Sequence, residues 1–245
     1  MSKIIGFLCN WCCYAGADLA GVSRIQYLPD IRIIRMMCTG RLDPMIILDT
    51  FLHGADGVFI GGCHPGDCHY ISGNYYAEKK IDMTKRMLEV VNIDPSRIRL
   101  EWVSASEGSR FVEVINEFTE EIRKLGQIKF EKDDLKAIIL SAEDYRLRIL
   151  ATKQKDLMEE GNKYGEVFTM HEMDRLLSDM IKEDYEEKKI LLMLKDPLST
   201  KDIAEKMKLK PPRVLRHILE LKKRELVKMH KIENKTPLYI AEEYA

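Results

Sequence analysis

The chain has 245 residues, of which 45% are hydrophobic and 32% are charged, and its formal net charge is −1. This length allows one large domain or two modest ones with a real core, and the charge argues against a molecule that binds polyanions over its whole surface. No apolar run reaches the roughly 20 residues that cross a bilayer, and no secretory leader precedes the first apolar segment. We therefore expect a cytoplasmic protein whose cysteines stay reduced unless they bind a metal.

Residues 1–126 alternate between short apolar runs, typical of strands buried on both faces, and segments with helical spacing. The predicted strands are Ile4–Leu8, Ile31–Met37, Gly57–Ile60 and Ile98–Val103. The predicted helices are Ala17–Tyr27, Asp43–His53, Asn74–Val91 and Glu107–Leu125. Strands that alternate with helices favour right-handed crossovers. We predict an α/β domain built on an open four-stranded parallel sheet of the doubly wound kind.

Residues 127–185 are more charged and contain no cysteine. Apolar residues recur at helical spacing in two stripes, from Leu135 to Ile149 and from Met173 to Ile181, and Gly161–Gly165 separates them. We predict a helical arm or linker. It either packs on the first domain or docks a partner, and the amphipathic pattern favours packing.

Residues 186–245 are predicted to form a winged helix-turn-helix-like domain. Helices are expected over Lys188–Leu194, Lys201–Met207 and Pro211–Glu225, followed by strands at Leu226–Lys231 and Pro237–Ala241. Ser199 or Thr200 would cap the second helix.

Five of the six cysteines stand at, or just beyond, the end of a predicted strand. These five are Cys9, Cys12, Cys38, Cys63 and Cys68. Parallel strands share one carboxyl edge, where ligands bind, so we expect the thiols to converge. Converging thiolates in a reducing compartment indicate a metal or iron–sulfur site more often than a set of disulfides.

A cluster of two irons bridged by two sulfides needs four cysteine ligands. Pairing along the chain favours Cys9, Cys12, Cys63 and Cys68, with Cys38 as a substitute. Cys13 is left out, because neighbouring side chains rarely reach the same inorganic core. His64 and His69 could be ligands, as in mixed Cys/His sites, but we expect them to hydrogen-bond beside the site because enough thiols are present. Three cations are candidates to offset the charge of the site: Lys3, Arg35 and Arg41.

Other interpretations of the cysteines remain open. A structural zinc site would use four of the same thiolates, and a thioredoxin-like dithiol would use Cys9 and Cys12 alone. The cysteines could also be small buried hydrophobes. The sequence contains no Walker loop and no nucleophile elbow, which favours a relay for single electrons over an independent enzyme.

Several segments resemble the delta subunit of methyl-viologen-reducing hydrogenase over about residues 3 to 126. They are Phe7-Leu8-Cys9-Asn10-Trp11-Cys12, Tyr14-Ala15-Gly16-Ala17-Asp18, Ile34-Arg35-Met36-Met37-Cys38-Thr39-Gly40-Arg41, Gly54-Ala55-Asp56-Gly57-Val58 and Gly61-Gly62-Cys63-His64-Pro65-Gly66-Asp67-Cys68-His69-Tyr70. The later Trp102–Gly108 segment also fits.

The resemblance implies a small α/β subunit that carries one 2Fe–2S cluster. Such a subunit would pass electrons from a nickel–iron hydrogenase, or from a formate dehydrogenase, to the flavin subunit of heterodisulfide reductase. The family's cysteines correspond to Cys9, Cys12, Cys38, Cys63 and Cys68. Compact members end soon after residue 126, so the resemblance does not extend to the second half of this chain.

A rival interpretation comes from that second half. Residues 186–245 contain 15 Lys and Arg against 10 Asp and Glu, and seven of these cations lie in or beside the predicted third helix: Lys208, Lys210, Arg213, Arg216, Lys222, Lys223 and Arg224. Cations so placed are compatible with phosphate contacts. A redox- or metal-sensing DNA-binding regulator is therefore the alternative function.

Overall fold

The computed structural model describes residues 2–242 of the chain. In its first part, strands and helices alternate. The strands are β1 (Ile4–Cys9), β2 (Ile31–Met36), β3 (Gly57–Gly62) and β4 (Ile98–Trp102), and the helices are α1 (Cys13–Val22), α2 (Pro44–Leu52), α3 (Gly73–Val90) and α4 (Gly108–Leu125). Short 3-10 turns at Thr39–Arg41 and Pro95–Arg97 lie before α2 and β4.

The four strands form one parallel sheet in the order β2-β1-β3-β4. This confirms the predicted four-stranded parallel sheet. The central strands β1 and β3 are almost wholly buried, as expected for apolar runs covered on both faces. The chain steps from β1 outward to β2, then returns to place β3 on the other side of β1, so the strand order reverses between β1 and β3.

Helices cover both faces of the sheet. On one face, α1 and α4 pack over a core that includes Phe59, Phe111 and Phe118. On the other, α2 and α3 contribute Leu48, Phe51 and other residues to a second core.

Helix α1 begins at Cys13 and ends at Val22, whereas the sequence pattern predicted Ala17–Tyr27. The early end has a local cause. Arg24 has a left-handed backbone (φ 57°), its N–H donates to the carbonyl of Gly21, and the N–H of Ile25 donates to that of Ala20. This pair of bonds closes the helix as a Schellman motif, here with an arginine where glycine is usual.

The next three helices are α5 (Lys132–Ala142), α6 (Tyr145–Glu159) and α7 (Met170–Met193). The single stripe predicted from Leu135 to Ile149 was wrong, because the helix breaks at Glu143–Asp144. Asp144 caps α6 by accepting a hydrogen bond from the N–H of Arg146, and this turns Tyr145 and Ile149 to the surface.

These helices extend the core over α2 and α3. Ile138 of α5, Leu147 of α6 and Leu177 of α7 belong to the same buried cluster as Leu48 and Met87. The outer face of α2 and α3 is therefore covered by the chain's own second half.

Helix α7 continues through the boundary predicted at residues 185 and 186 into a smaller core. There it meets β5 (Leu198–Ser199), α8 (Thr200–Met207), α9 (Pro211–Lys223), β6 (Val227–Glu233) and β7 (Thr236–Ala241). The three strands form an antiparallel sheet in the order β5-β7-β6. Ile190 of α7 packs with Ile203, Val214 and Ile218 of α8 and α9. Among residues 2–242, no helix combines the length and the apolar character that a membrane span requires.

A buried ionic cluster joins α7 to α9. Glu186 accepts hydrogen bonds from Arg213 Nε at 2.6 Å and from His217 Nε2 at 2.9 Å, and Glu187 pairs with Arg224 at 2.7 Å. Burial opposes the charged form of His217, but hydrogen bonds to Glu186 and Glu187 outweigh it and raise its pKa to about 9.

The raised pKa of His217 makes the stability of the fold depend on pH. An unfolded histidine titrates near 6.5, so the stabilisation is fully present below about pH 6.5 and is lost as the pH rises through about 9. We expect urea unfolding to give a free energy on the order of 2 kcal/mol lower at pH 9.5 than at pH 6.5. The His217→Asn variant should lose this difference; an unchanged difference would show that other groups cause it.

Candidate metal centre

The cysteines gather where the strand order reverses. Cys9 is the last residue of β1 and Cys63 directly follows β3, and these two strands are neighbours in the sheet. In an open α/β sheet the crevice outside the carboxyl ends of two such strands is the usual ligand site. The topology alone therefore places Cys9 and Cys63 at the position where a ligand is expected.

Three thiols form a compact group in this crevice. The Sγ atoms of Cys9, Cys12 and Cys63 all lie within 4.8 Å of one another, and the Sγ atoms of Cys9 and Cys63 are 3.7 Å apart. Cys12 reaches the group because it directly precedes α1, so the loop from β1 turns back over the strand end. All three side chains are buried, and we call them the thiol triad.

Cys38 and Cys68 form a neighbouring pair. A Cβ atom added to Gly73, the first residue of α3, would collide with the Sγ of Cys38 and lie 3.1 Å from the Sγ of Cys68. Both sulfurs therefore rest against a helix start that has no side chain. The N–H of Gly40 also donates to the Sγ of Cys38 at 3.4 Å.

Cys13, which is not among the predicted ligands, has a different environment. Its sulfur packs against Gly61 of β3, at the place that a Cβ on that glycine would occupy. The side chain is fully buried, and burial raises the pKa of the Cys13 thiol. Although adjacent in sequence, Cys12 and Cys13 thus point to different surroundings.

Contacts within the thiol triad shift the pKa values of its thiols. Hydrogen bonds from Cys12 and Cys63 lower the pKa of Cys9. The pKa of Cys12 is raised, because its hydrogen bonds to Cys63 and Cys9 and its burial favour the protonated form. Because cysteines bind metals as thiolates, metal binding would release protons from this site.

Two polar residues that the sequence pattern does not mark as site residues fix the surrounding loops. Asn74 is buried at the start of α3 and donates to the carbonyls of Cys63 and His64. Lys80 donates to the carbonyl of Gly40 at 2.8 Å. Both residues lie on the long helix α3. Nothing in the sequence pattern distinguishes them from the residues of an ordinary solvated helix face.

The two histidines near the site do not join the thiol triad. His64 Nε2 lies 2.8 Å from Glu107 Oε2, which links the loop after β3 to the start of α4. The N–H of Ser104 and the bond with His64 together lower the pKa of Glu107 to about 2. His69 instead stacks on Trp11, with ring centroids 3.9 Å apart.

Three cations were predicted to offset the negative charge of the metal centre. One of them, Lys3, lies at the edge of the sheet opposite the cysteines. It precedes β1, at the amino end of the parallel strands. Its backbone N–H donates a hydrogen bond to the carboxylate of Asp56. Arg35 and Arg41 belong to the edge that carries the cysteines. Arg35 lies 5.0 Å from the ring centroid of Tyr14.

The donor set suits a soft metal centre. Thiolate sulfur is the ligand of zinc, copper(I) and iron–sulfur clusters, and all six cysteines of the chain are free. Gly40 packs against the backbone of Gly73, and a Cβ on Gly73 would meet the sulfurs of Cys38 and Cys68, so larger side chains do not fit beside this pair. The geometry therefore fits a metal or cluster held by several cysteines.

Comparison with known proteins assigns the first half of the chain. The family model described as "Methyl-viologen-reducing hydrogenase, delta subunit" matches residues 4–126. The iron–sulfur subunit of the vhc F420-non-reducing hydrogenase from Methanococcus voltae is 55% identical over 124 residues, which are 51% of this chain and 86% of that protein.

Two further relatives match a similar length of the chain. The iron–sulfur subunit of the F420-non-reducing hydrogenase from Archaeoglobus profundus is 48% identical over 130 residues, 53% of this chain and 95% of that protein. One subunit of the ferredoxin/F(420)H(2)-dependent CoB-CoM heterodisulfide reductase from Methanosarcina acetivorans is 48% identical over 128 residues, 52% of this chain but 16% of that longer protein. In that relative the matching segment is part of a much larger polypeptide.

Proposed function

Because the chain belongs to the methyl-viologen-reducing hydrogenase delta-subunit family, we propose that it is an electron-transfer subunit that carries an iron–sulfur cluster. The observation that supports this most directly is the thiol triad of Cys9, Cys12 and Cys63 in the crevice between β1 and β3. Two of the relatives named above are iron–sulfur subunits. This function fits a site at which several thiols gather.

The cluster we propose is of the 2Fe–2S type. It would take three ligands from the thiol triad and a fourth from Cys68, with Cys38 as a substitute. The close approach of Cys38 and Cys68 to Gly73 supports either choice. Such a cluster accepts and returns one electron at a time.

The chain's own residues would hold and shield this centre. The five cysteines are between 1% and 8% exposed, so the protein shields most of their surface from solvent. Asn74 fixes the carbonyls of Cys63 and His64, and Lys80 fixes that of Gly40. Ligands on loops held this firmly need little rearrangement between charge states.

The electron donor we propose is a hydrogenase or a formate dehydrogenase, and the acceptor is the flavin subunit of heterodisulfide reductase. The names of the relatives from Methanococcus voltae and Methanosarcina acetivorans support the two ends of this route. We place the exchange in the cytoplasm, where thiols remain available for metals.

A substitution at Gly73 tests whether the pair Cys38 and Cys68 takes part. In Gly73→Ala, the new Cβ would displace the sulfur of Cys38, so we expect iron content to fall although alanine favours a helix. Gly21→Ala is the control, because nothing lies within 4 Å of a Cβ at that helical glycine. That variant should keep its iron and gain about 0.5–1 kcal/mol of stability. Full iron in Gly73→Ala would show that the centre does not need the sulfur of Cys38 at this position and would leave Cys68 as the proposed fourth ligand.

For the second half we propose a division into a helical segment, residues 127–185, and a winged helix-turn-helix-like domain, residues 186–245. The antiparallel sheet β5-β7-β6 and the helices α8 and α9 support the second part. Continuous α7 would fix the domain rigidly to the cysteine-bearing domain, since its side chains belong to both cores.

DNA binding is the second candidate function, and the cations of the second half favour it. However, several of them are already paired within the chain: Arg213 with Glu186, Arg216 with Glu183, Lys223 with Glu220 and Arg224 with Glu187. Leu215 and Leu219 on the outer face of α9 are 41% and 47% exposed, which suits an apolar contact better than a phosphate. We therefore propose electron transfer ahead of DNA binding as the function of the chain.

A pair of measurements separates the two functions. For the relay, the reduced chain should be oxidised when it is mixed anaerobically with the purified flavin subunit of heterodisulfide reductase, and the cluster absorbance should recover. For the regulator, fluorescence anisotropy should detect sequence-selective binding to duplex DNA that weakens steeply with salt. Selective DNA binding without any electron exchange would overturn the relay.

A further inference from the structure

A cleft of about 970 Å³ lies in the second half of the chain, where two hydrophobic cores meet. Its walls come from the turn between α5 and α6, the end of α7 and the end of β7. Leu191 packs against the smaller core and Leu192 against the core over α2 and α3. We call this space the junction cleft, and its apolar lining consists of Leu140, Tyr145, Leu191, Leu192, Ile240 and Ala241.

Two lysines also line the junction cleft. Lys188 belongs to α7 and Lys195 lies two residues beyond its end. Neither lysine pairs with a carboxylate of the part of the chain that the structure describes. Asp144 and Asp184 lie close enough for the charge of Lys188 to lower their pKa values, but both accept hydrogen bonds from Arg146 instead.

The other charged groups of the junction cleft are mostly neutralised within the chain. Glu242 pairs with Lys228 at 2.7 Å, and Arg224 pairs with Glu187 at 2.7 Å. Glu143 is exposed and has no ion-pair partner among residues 2–242. Two unpaired lysines against this one glutamate leave the cleft with an excess of positive charge.

Backbone hydrogen bonds hold the walls of the junction cleft together. The N–H of Ala241 donates to the carbonyl of Leu194 at 2.9 Å, and the N–H of Glu242 donates to that of Leu226 at 2.9 Å. These bonds tie the end of β7 to the end of α7 and to the segment before β6. The cleft is therefore formed by the fold itself, as most sites for small molecules are.

The lining selects a class of ligand. Apolar walls with a few polar groups, in a cleft where two cores meet, are typical of sites for small molecules. Tyr145 is 69% exposed although it lines the cleft, so its ring is available to stack on an aromatic or aliphatic body. The ammonium groups of Lys188 and Lys195 suit an anionic group on the same molecule.

We infer that the junction cleft binds a small amphipathic anion, which is an aromatic or aliphatic body with one carboxylate, sulfonate or phosphate group. Such a molecule would contact the turn between α5 and α6 as well as the end of β7, so it would bridge the two cores. The site shares no residue with the thiol triad, and its occupancy does not require the proposed cluster.

The test compares two dyes that differ in one charged group. N-phenylnaphthylamine is uncharged, and anilinonaphthalene sulfonate is the same ring system with one sulfonate. Both dyes fluoresce strongly only in apolar surroundings, so the Kd of each is measured by titration into the anaerobically purified full chain.

Three variants separate the junction cleft from other apolar surfaces. The double variant Lys188→Gln with Lys195→Gln removes the two charges of the cleft. Leu191→Trp fills part of its volume. Lys222→Gln is the control, because this exposed lysine lines a second apolar surface, formed by the outer face of α9. Circular dichroism and the urea midpoint check the fold of each variant.

We expect the lysine double variant to raise the Kd of the sulfonate dye about fivefold or more and to leave the Kd of the uncharged dye within about twofold of wild type. Leu191→Trp should weaken the binding of both dyes, and Lys222→Gln should change neither.

Four results would overturn the inferred site. They are an unchanged affinity for the sulfonate dye in the lysine double variant, an equal loss for the uncharged dye, an equal loss in Lys222→Gln, and no saturable binding of the sulfonate dye to wild type. The lysine double variant changes partly or fully exposed side chains, so it keeps the test decisive even where Leu191→Trp does not fold.

Discussion

A chain carrying Cys12→Ser should be isolated with almost no iron, whereas one carrying Cys13→Ser should retain its full iron content. The two cysteines are adjacent and both buried, yet only the sulfur of Cys12 lies in the thiol triad. The sulfur of Cys13 packs against Gly61. Serine is nearly isosteric but binds soft metals poorly, since it offers a hard oxygen in place of a thiolate.

This pair of variants separates ligation from packing. Both substitutions place a hydroxyl in a buried position, so a purely structural effect would appear in both, and in Cys13→Ser at least as strongly. Iron and sulfide are measured per chain after anaerobic purification, with circular dichroism as the check on folding. Cys63→Ser should behave like Cys12→Ser, because its sulfur is 3.7 Å from that of Cys9. Equal iron in the Cys12 and Cys13 variants would contradict the proposed ligand set.

Glu186→Ala should destabilise the fold by about 3 kcal/mol or more. The substitution removes the carboxylate that accepts hydrogen bonds from both Arg213 and His217. It would leave a buried imidazole and a half-buried guanidinium with less compensation at the joint between α7 and α9. The pKa of His217 should fall as a result, because part of what raises it is lost.

Glu183 provides the matched control on the same helix. It also pairs with an arginine of α9, Arg216, at 2.8 Å, but both side chains are more than half exposed. An exposed pair of this kind contributes about 0–1 kcal/mol, so Glu183→Ala should change the urea midpoint only slightly. Similar losses of stability in the two variants would show that burial does not set the strength of this joint.

Much of the first domain could be predicted from the sequence. The apolar runs at β1 and β3 are buried on both faces and indicated the strands directly. The placement of cysteines at the ends of those strands predicted the convergence of Cys9 and Cys63, because parallel strands end at one edge of the sheet. The order and direction of the strands alone bring these two cysteines together, so local sequence patterns were sufficient to predict this part of the site.

The remaining features depend on contacts that periodicity does not encode. The break between α5 and α6 comes from the side chain of Asp144, which caps α6 where the apolar stripe continues in sequence. Helix α7 is continuous because its side chains pack into two hydrophobic cores, one on each side of the predicted boundary. Asn74 and Lys80 lie on a helix face whose pattern is typical of a solvated surface, and only the loops packed against α3 make them part of the site.

The most direct test of the central claim is iron and sulfide analysis of the anaerobically purified full chain, with electron paramagnetic resonance after reduction. The proposed 2Fe–2S cluster predicts two irons and two sulfides per chain and a rhombic signal. A colourless chain with one zinc and no sulfide would contradict it and would assign the thiol triad to a structural metal.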